Sequence, residues 1–139
     1  MSADQGFSNL NGGIVNFNTT SIDNLSEFNT STSIFTAASS GVYMVDFLLY
    51  VSCNNSQYNG GYIIGSLTHK RGGTTVRAYQ DVSRTNSAGT YCEEGTKPKI
   101  QKILNLLAGD TVSVSFNNAA GTTLSIYSSL SYLDIIRIR

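Results

Sequence analysis

The sequence predicts an all-β, two-sheet antiparallel sandwich, and three observations predict it. Apolar and polar residues alternate along most of the chain, helical spacing is nearly absent, and clusters of Gly, Ser, Asn and Thr recur between the alternating runs. Alternation marks half-buried strands and the clusters mark the turns that join them. Composition agrees, with 13 glycines, one proline and only 13% Asp, Glu, Lys and Arg among 139 residues. A chain of this length buries one core without staples.

Strands are expected near residues 13–17, 34–37, 41–51, 62–68, 75–82, 99–107, 111–116 and 130–138. Residues 1–12 are polar and read as a linker or as the start of an excised domain, which leaves 13–139 as the folded unit. Residues 100–107 fit a short amphipathic helix on pattern alone. The Ala108-Gly109-Asp110 that follows, leading into a β-rich run, favours a hairpin. In 111–116, Val112, Val114 and Phe116 face one way while Thr111, Ser113 and Ser115 face the other, so one side is core and the other water.

The strand from Gly41 differs. Tyr43, Val45, Phe47, Leu49 and Val51 form one apolar face, and Val42, Met44, Leu48 and Tyr50 form a second, broken only by Asp46. The last strand repeats this, with Leu133 and Ile135 on one face and Tyr132, Ile136 and Ile138 on the other. A strand apolar on both faces needs cover on both, and no helix here supplies it. Oligomerisation is the economical cover, since burying ~1,000 Å² of apolar surface is worth on the order of 25 kcal/mol before entropic costs. Met44, Asp46, Leu48, Tyr50 and Tyr132 are therefore the expected subunit interface. Asp46 should be paired there, with Arg137 or Arg139 as candidates, or else lie at a wet rim.

The run Phe17, Asp23, Phe28, Phe35, Gly41, Tyr43 and Phe47, at its particular spacing, resembles the signature of the C1q domain, with Val45 where that family usually has Phe. The Leu-Leu-Ala-Gly-Asp-Thr-Val run at 106–112 resembles the family's penultimate hairpin, and Ser129-Leu130-Ser131-Tyr132 loosely matches its usual Ser-Phe-x-Gly. The resemblance implies a C1q/TNF-like jelly roll that assembles as a homotrimer through the sheet holding 41–51 and the last strand. It also implies an extracellular, cell-surface or virion setting within a longer exported protein.

Strand directions alternate in an antiparallel sandwich, so the long connections 52–60, 83–97 and 117–129 share one end. Long loops on a rigid scaffold are where binding sits. Tyr58, Asn59, Tyr91, Glu93, Glu94, Asn117 and Asn118 are the candidate ligand-binding residues, the tyrosines offering rigid area beside adaptable polar groups, or simply covering the sandwich end. Cys53 and Cys92 fall in two of these loops and are either a disulfide or two free thiols. No resident cofactor is implied. Glu93 and Glu94 are candidate calcium ligands, repeated around a trimer axis, or a solvated acidic pair.

Zero formal net charge disfavours nucleic acid. No apolar run reaches the ~20 residues of a membrane helix, and no signal peptide is visible in 1–10. His69, the single histidine, lies beside Lys70 and Arg71 at the opposite end, with no nucleophile implied near it. Asn18, Asn24, Asn29 and Asn54 head Asn-x-Ser/Thr triplets that chance would supply in so Asn- and Ser-rich a chain. The expected function is non-enzymatic recognition. A trimeric adhesin head or fibre tip would bind a surface glycan or protein through its apex. The alternative is a structural trimerisation cap that binds nothing.

Overall fold

The computed structural model describes residues 2–5, 8–10, 12–53, 62–84, 97–118, 124–126 and 130–139. Fourteen strands run through them: β1 (Ser2–Gln5), β2 (Ser8–Leu10), β3 (Gly12–Ile14), β4 (Phe17–Ile22), β5 (Phe28–Asn29), β6 (Ile34–Thr36) and β7 (Gly41–Leu48). The series continues with β8 (Val51–Cys53), β9 (Tyr62–Arg71), β10 (Thr74–Arg84), β11 (Lys99–Leu106), β12 (Thr111–Asn118), β13 (Leu124–Ile126) and β14 (Tyr132–Arg137). The first sheet has the order β11-β7-β14-β1-β4 and the second β10-β9-β12-β6-β5, with β3 also on β12. Every pairing is antiparallel.

The two sheets enclose one core, to which the alternating inner residues contribute: Tyr43, Val45 and Phe47 from β7, Leu133 and Ile135 from β14, Ile63 and Leu67 from β9, and Val112, Val114 and Phe116 from β12. The clean alternation of 111–116 is thus realised. The hairpin expected after β11 is not: β11 pairs with β7 in the first sheet and β12 with β9 and β6 in the second, so the turn in which Gly109 takes φ +85° carries the chain from one sheet to the other. The edge strands β10 and β11 meet where Asp81 Oδ2 accepts from the Lys99 N–H at 2.9 Å and Lys102 Nζ stands 5.3 Å from the Tyr79 ring.

The strand expected at 41–51 is two strands. β7 stops at Leu48, and β8 joins a small third sheet of order β2-β13-β8. Residues 1–12 also differ from a linker: Ser2–Gln5 pairs with β14 on one side and β4 on the other, and Ser8–Leu10 pairs with β13. Their polar composition hid this, because neither stretch carries the period-2 apolar signal.

The signature residues have structural work of their own. Phe17, Phe35, Tyr43 and Phe47 are core, with the rings of Phe35 and Tyr43 edge-to-face at 5.9 Å. Asp23 accepts from the Glu27 and Phe28 N–H groups at 3.0 Å each, which turns the chain into β5. At Gly41 a Cβ would collide with the Arg139 carbonyl oxygen and lie 2.7 Å from Arg137 Nε, so the last residues can lie against the start of β7. Tyr43 Oη donates to the Ser39 carbonyl at 2.7 Å. A Tyr43→Phe variant should therefore lose about 1 kcal/mol while keeping the ring's packing, measured as a shift in urea midpoint at unchanged slope.

Candidate recognition and assembly surfaces

Three surfaces follow from this frame. On the face of the first sheet turned away from the core, the register aligns side chains in rows across β11, β7 and β14. Ile103, Met44 and Ile136 make the first row, Gln101, Asp46 and Asp134 the second, and Lys99, Leu48 and Tyr132 the third. Ile103 is 68% exposed and Ile136 50%, although the sheet's other face already packs a complete core. Met44, Asp46, Leu48, Tyr50 and Tyr132 are each half-buried in the single chain. Tyr50 flanks the rows, its N–H donating to Ser131 Oγ at 2.9 Å and its ring lying 4.8 Å from Lys97 Nζ.

Asp46 does not pair with Arg137 or Arg139. Arg137 lies opposite Tyr43, on the core-facing parity of β14, and its Nη2 donates to the Ser40 carbonyl at 2.9 Å. Arg139 lies past the strand end, its carbonyl accepting from the Val42 N–H. Asp46 Oδ2 instead receives Gln101 Nε2 at 3.3 Å and has Lys99 Nζ at 4.0 Å. A two-residue period decides this, since residues of opposite parity cannot meet.

The second surface is one end of the sandwich. The strand ends at Cys53, Tyr62, Arg84, Asn118 and Tyr132 lie there by pairing direction, together with the third sheet. Asn117 and Asn118 are the last residues of β12, Asn117 exposed and Asn118 half-buried. Tyr58, Asn59, Tyr91, Glu93, Glu94 and Cys92 lie outside the described residues, as does the Cys53 side chain. The disulfide and calcium readings therefore stay as expectations. Among the described residues, no three His, Cys, Asp or Glu side chains converge as a metal site would require.

The third surface, at the opposite end, was missed by sequence reasoning. His69 is 3% exposed and Asp110 1%. Asp110 accepts from His69 Nε2 at 2.8 Å, from Arg71 Nε at 2.9 Å and Nη2 at 2.8 Å, and from the Leu107 N–H at 3.0 Å. The Arg71 hydrogen bonds, helped by the Leu107 N–H and His69, hold the Asp110 carboxyl well below the usual carboxylate range despite burial. Continuing the alternation of Ile63, Gly65 and Leu67 by one step would have put His69 inside. The cluster staples the β11–β12 connection, which crosses between the sheets, to the end of β9 and offers no nucleophile. An open cleft of about 520 Å³ lies between the edges of β10 and β11, lined by Tyr79, Asp81, Lys99 and Lys102 among others. It is polar and unenclosed, unlike a small-molecule site.

No sequence-family model matches the chain, and no curated protein matches it. Solved structures do. Murine APRIL at pH 5.0 superposes with a TM-score of 0.69 at 11% identity, over 99% of this chain and 96% of that one. The globular domain of zebrafish complement 1qA gives 0.67 at 18% identity, covering 99% and 95%. Eiger TNF from S. frugiperda gives 0.60 at 16% identity, covering 81% and 68%. The chain has the C1q/TNF jelly-roll fold. Within that jelly roll, the rows of Met44, Asp46 and Leu48 lie on the sheet that contains both β7 and the last strand. No helix among the described residues is long and apolar enough to cross a membrane.

Proposed function

We propose that this C1q/TNF-like domain is the trimeric recognition head of an extracellular adhesin or fibre, binding a surface glycan or protein through the end that carries β8 and β13. One observation carries the reading. The first sheet presents a second apolar face, Ile103–Met44–Ile136 and Leu48–Tyr132, on strands whose other face is already full core. Two further copies around a three-fold axis cover it, in the cyclic arrangement that closed assemblies favour. Three identical weak sites then raise avidity by roughly 10²–10⁴ over one. Nothing in this reading calls for catalysis.

Light scattering on dilute protein tests the assembly, and a mass near three times the 14.9 kDa chain is the expected result. Glycan-array binding by the wild type and by a Tyr58→Ala/Tyr91→Ala variant tests the recognition. A binder loses its array signal while its mass stays trimeric. A capping domain shows no array signal in either form, and that outcome overturns the glycan reading.

A further inference from the structure

The middle row of the outward face is polar throughout, and the two acids in it are register partners. Asp46 and Asp134 stand directly opposite on neighbouring antiparallel strands, which puts their Cβ atoms about 5 Å apart. Like charges so placed repel. Oδ1 of Asp46 and Oδ1 of Asp134 are both buried, and neither has a hydrogen-bond partner among the described residues.

The surroundings do little to offset this. On β11, Gln101 and Lys99 reach Asp46 Oδ2, the lysine only at 4.0 Å. On β7 the row is flanked by Met44 and Leu48, and on β14 by Ile136 and Tyr132. On β1, Ser2 lies opposite Asp134, and Asp4 opposite Tyr132. One lysine thus stands beside a row with two acidic register positions, inside an apolar surround.

We propose, resting on the trimeric reading above, that closing this face against two further copies takes up protons, so that mild acid strengthens assembly and rising pH loosens it. Covering the face removes water from six carboxylates while bringing only three Lys99 side chains. Desolvation and like charge both favour the neutral acid. One proton per Asp46–Asp134 pair removes the repulsion. The O–H it creates on one carboxyl donates to the oxygen of the other, giving a partner to atoms that lack one. The pair binds its proton more tightly in the assembled state than in the separate chain. Its contribution to assembly is therefore full at low pH and is lost as pH rises through the assembled-state titration. With one proton per chain, the three-chain association constant changes by about a thousandfold per pH unit inside that window.

Sedimentation equilibrium of the full chain at pH 5, 6, 7 and 8, at fixed ionic strength with EDTA, tests this. The wild type should tighten steeply toward pH 5, while Asp134→Asn stays tight at pH 8 and loses the dependence. Asp46→Asn serves the same purpose if the first variant fails to fold. Wild-type trimer diluted in weak buffer should also release about three protons as it dissociates. A trimer equally tight from pH 5 to 8, a slope that survives both Asn variants, or tightening by added CaCl₂ in place of acid would each overturn the proton pair and leave the trimer standing. A monomer at every pH would remove the trimeric reading itself.

Discussion

An Asp110→Asn variant is expected to lose about 2–3 kcal/mol of stability, because hydrogen bonds to a charged acceptor are each worth more than neutral ones and a buried donor left unpaired is costly. Asparagine keeps the shape but exchanges one acceptor oxygen for an NH₂ group. That group must face one of the donors on Arg71, His69 or the Leu107 N–H that now converge on the carboxylate. Urea denaturation at pH 7 measures the loss as a lowered midpoint.

The same variant should change the acid limb. The Asp110 carboxyl is held below its ordinary value, chiefly by the Arg71 hydrogen bonds. Its stabilisation is therefore fully present above the unfolded carboxylate pKa, about 4, and is lost as pH falls below that value. The wild type's midpoint should fall more steeply than the variant's between pH 5 and 2, so the gap between them narrows with acid. Parallel curves would mean that other carboxylates govern acid unfolding.

The second large effect is expected at Ile136. Half-exposed in the single chain, it can become glutamate at little cost to the fold, since surface changes of this kind stay within about ±0.5 kcal/mol. In the trimer the same change places three further carboxylates in the apolar row with Met44 and Ile103, next to the acidic row of Asp46 and Asp134. Uncompensated buried charge should raise the dissociation constant by at least roughly a thousandfold. Light scattering should then report a monomer with an unchanged β-sheet circular dichroism spectrum. A variant that remains trimeric would place the interface on another face.

Much of this architecture is legible in the residues that alternate. The two-faced character of 43–48 and 132–136 follows from parity alone, and the structure keeps the same inside–outside assignment at each of those positions. Three kinds of feature escape such reading. Strands made of Ser, Asn, Asp and Thr, such as Ser2–Gln5 and most of Phe17–Ile22, pair through the backbone and leave no apolar period. Partners set by the end of a strand, like Arg137 with the Ser40 carbonyl, depend on where a bend falls. Polar clusters assembled from distant segments are the third. Asp110 was visible as part of a hairpin motif and His69 as a lone histidine, but 41 residues separate them, and only the β9–β12 register brings them to 2.8 Å. Asn29 is a milder case. Its side-chain Oδ1 accepts from the Ser31 N–H, the Ser31 hydroxyl and the Thr32 N–H, so the residue that heads a glycosylation-like triplet is already occupied as a turn-former.

The place of β1 between β14 and β4 has a consequence for biosynthesis. The first strand of this domain to be made has as its neighbour the last one, so the sheet stays incomplete while the rest of the domain is synthesised. Sheets completed by such distant pairings fold slowly. While β14 is missing, β7 and β1 both present open strand edges, the feature that invites aggregation. Folding of this domain should therefore follow emergence of its final strand.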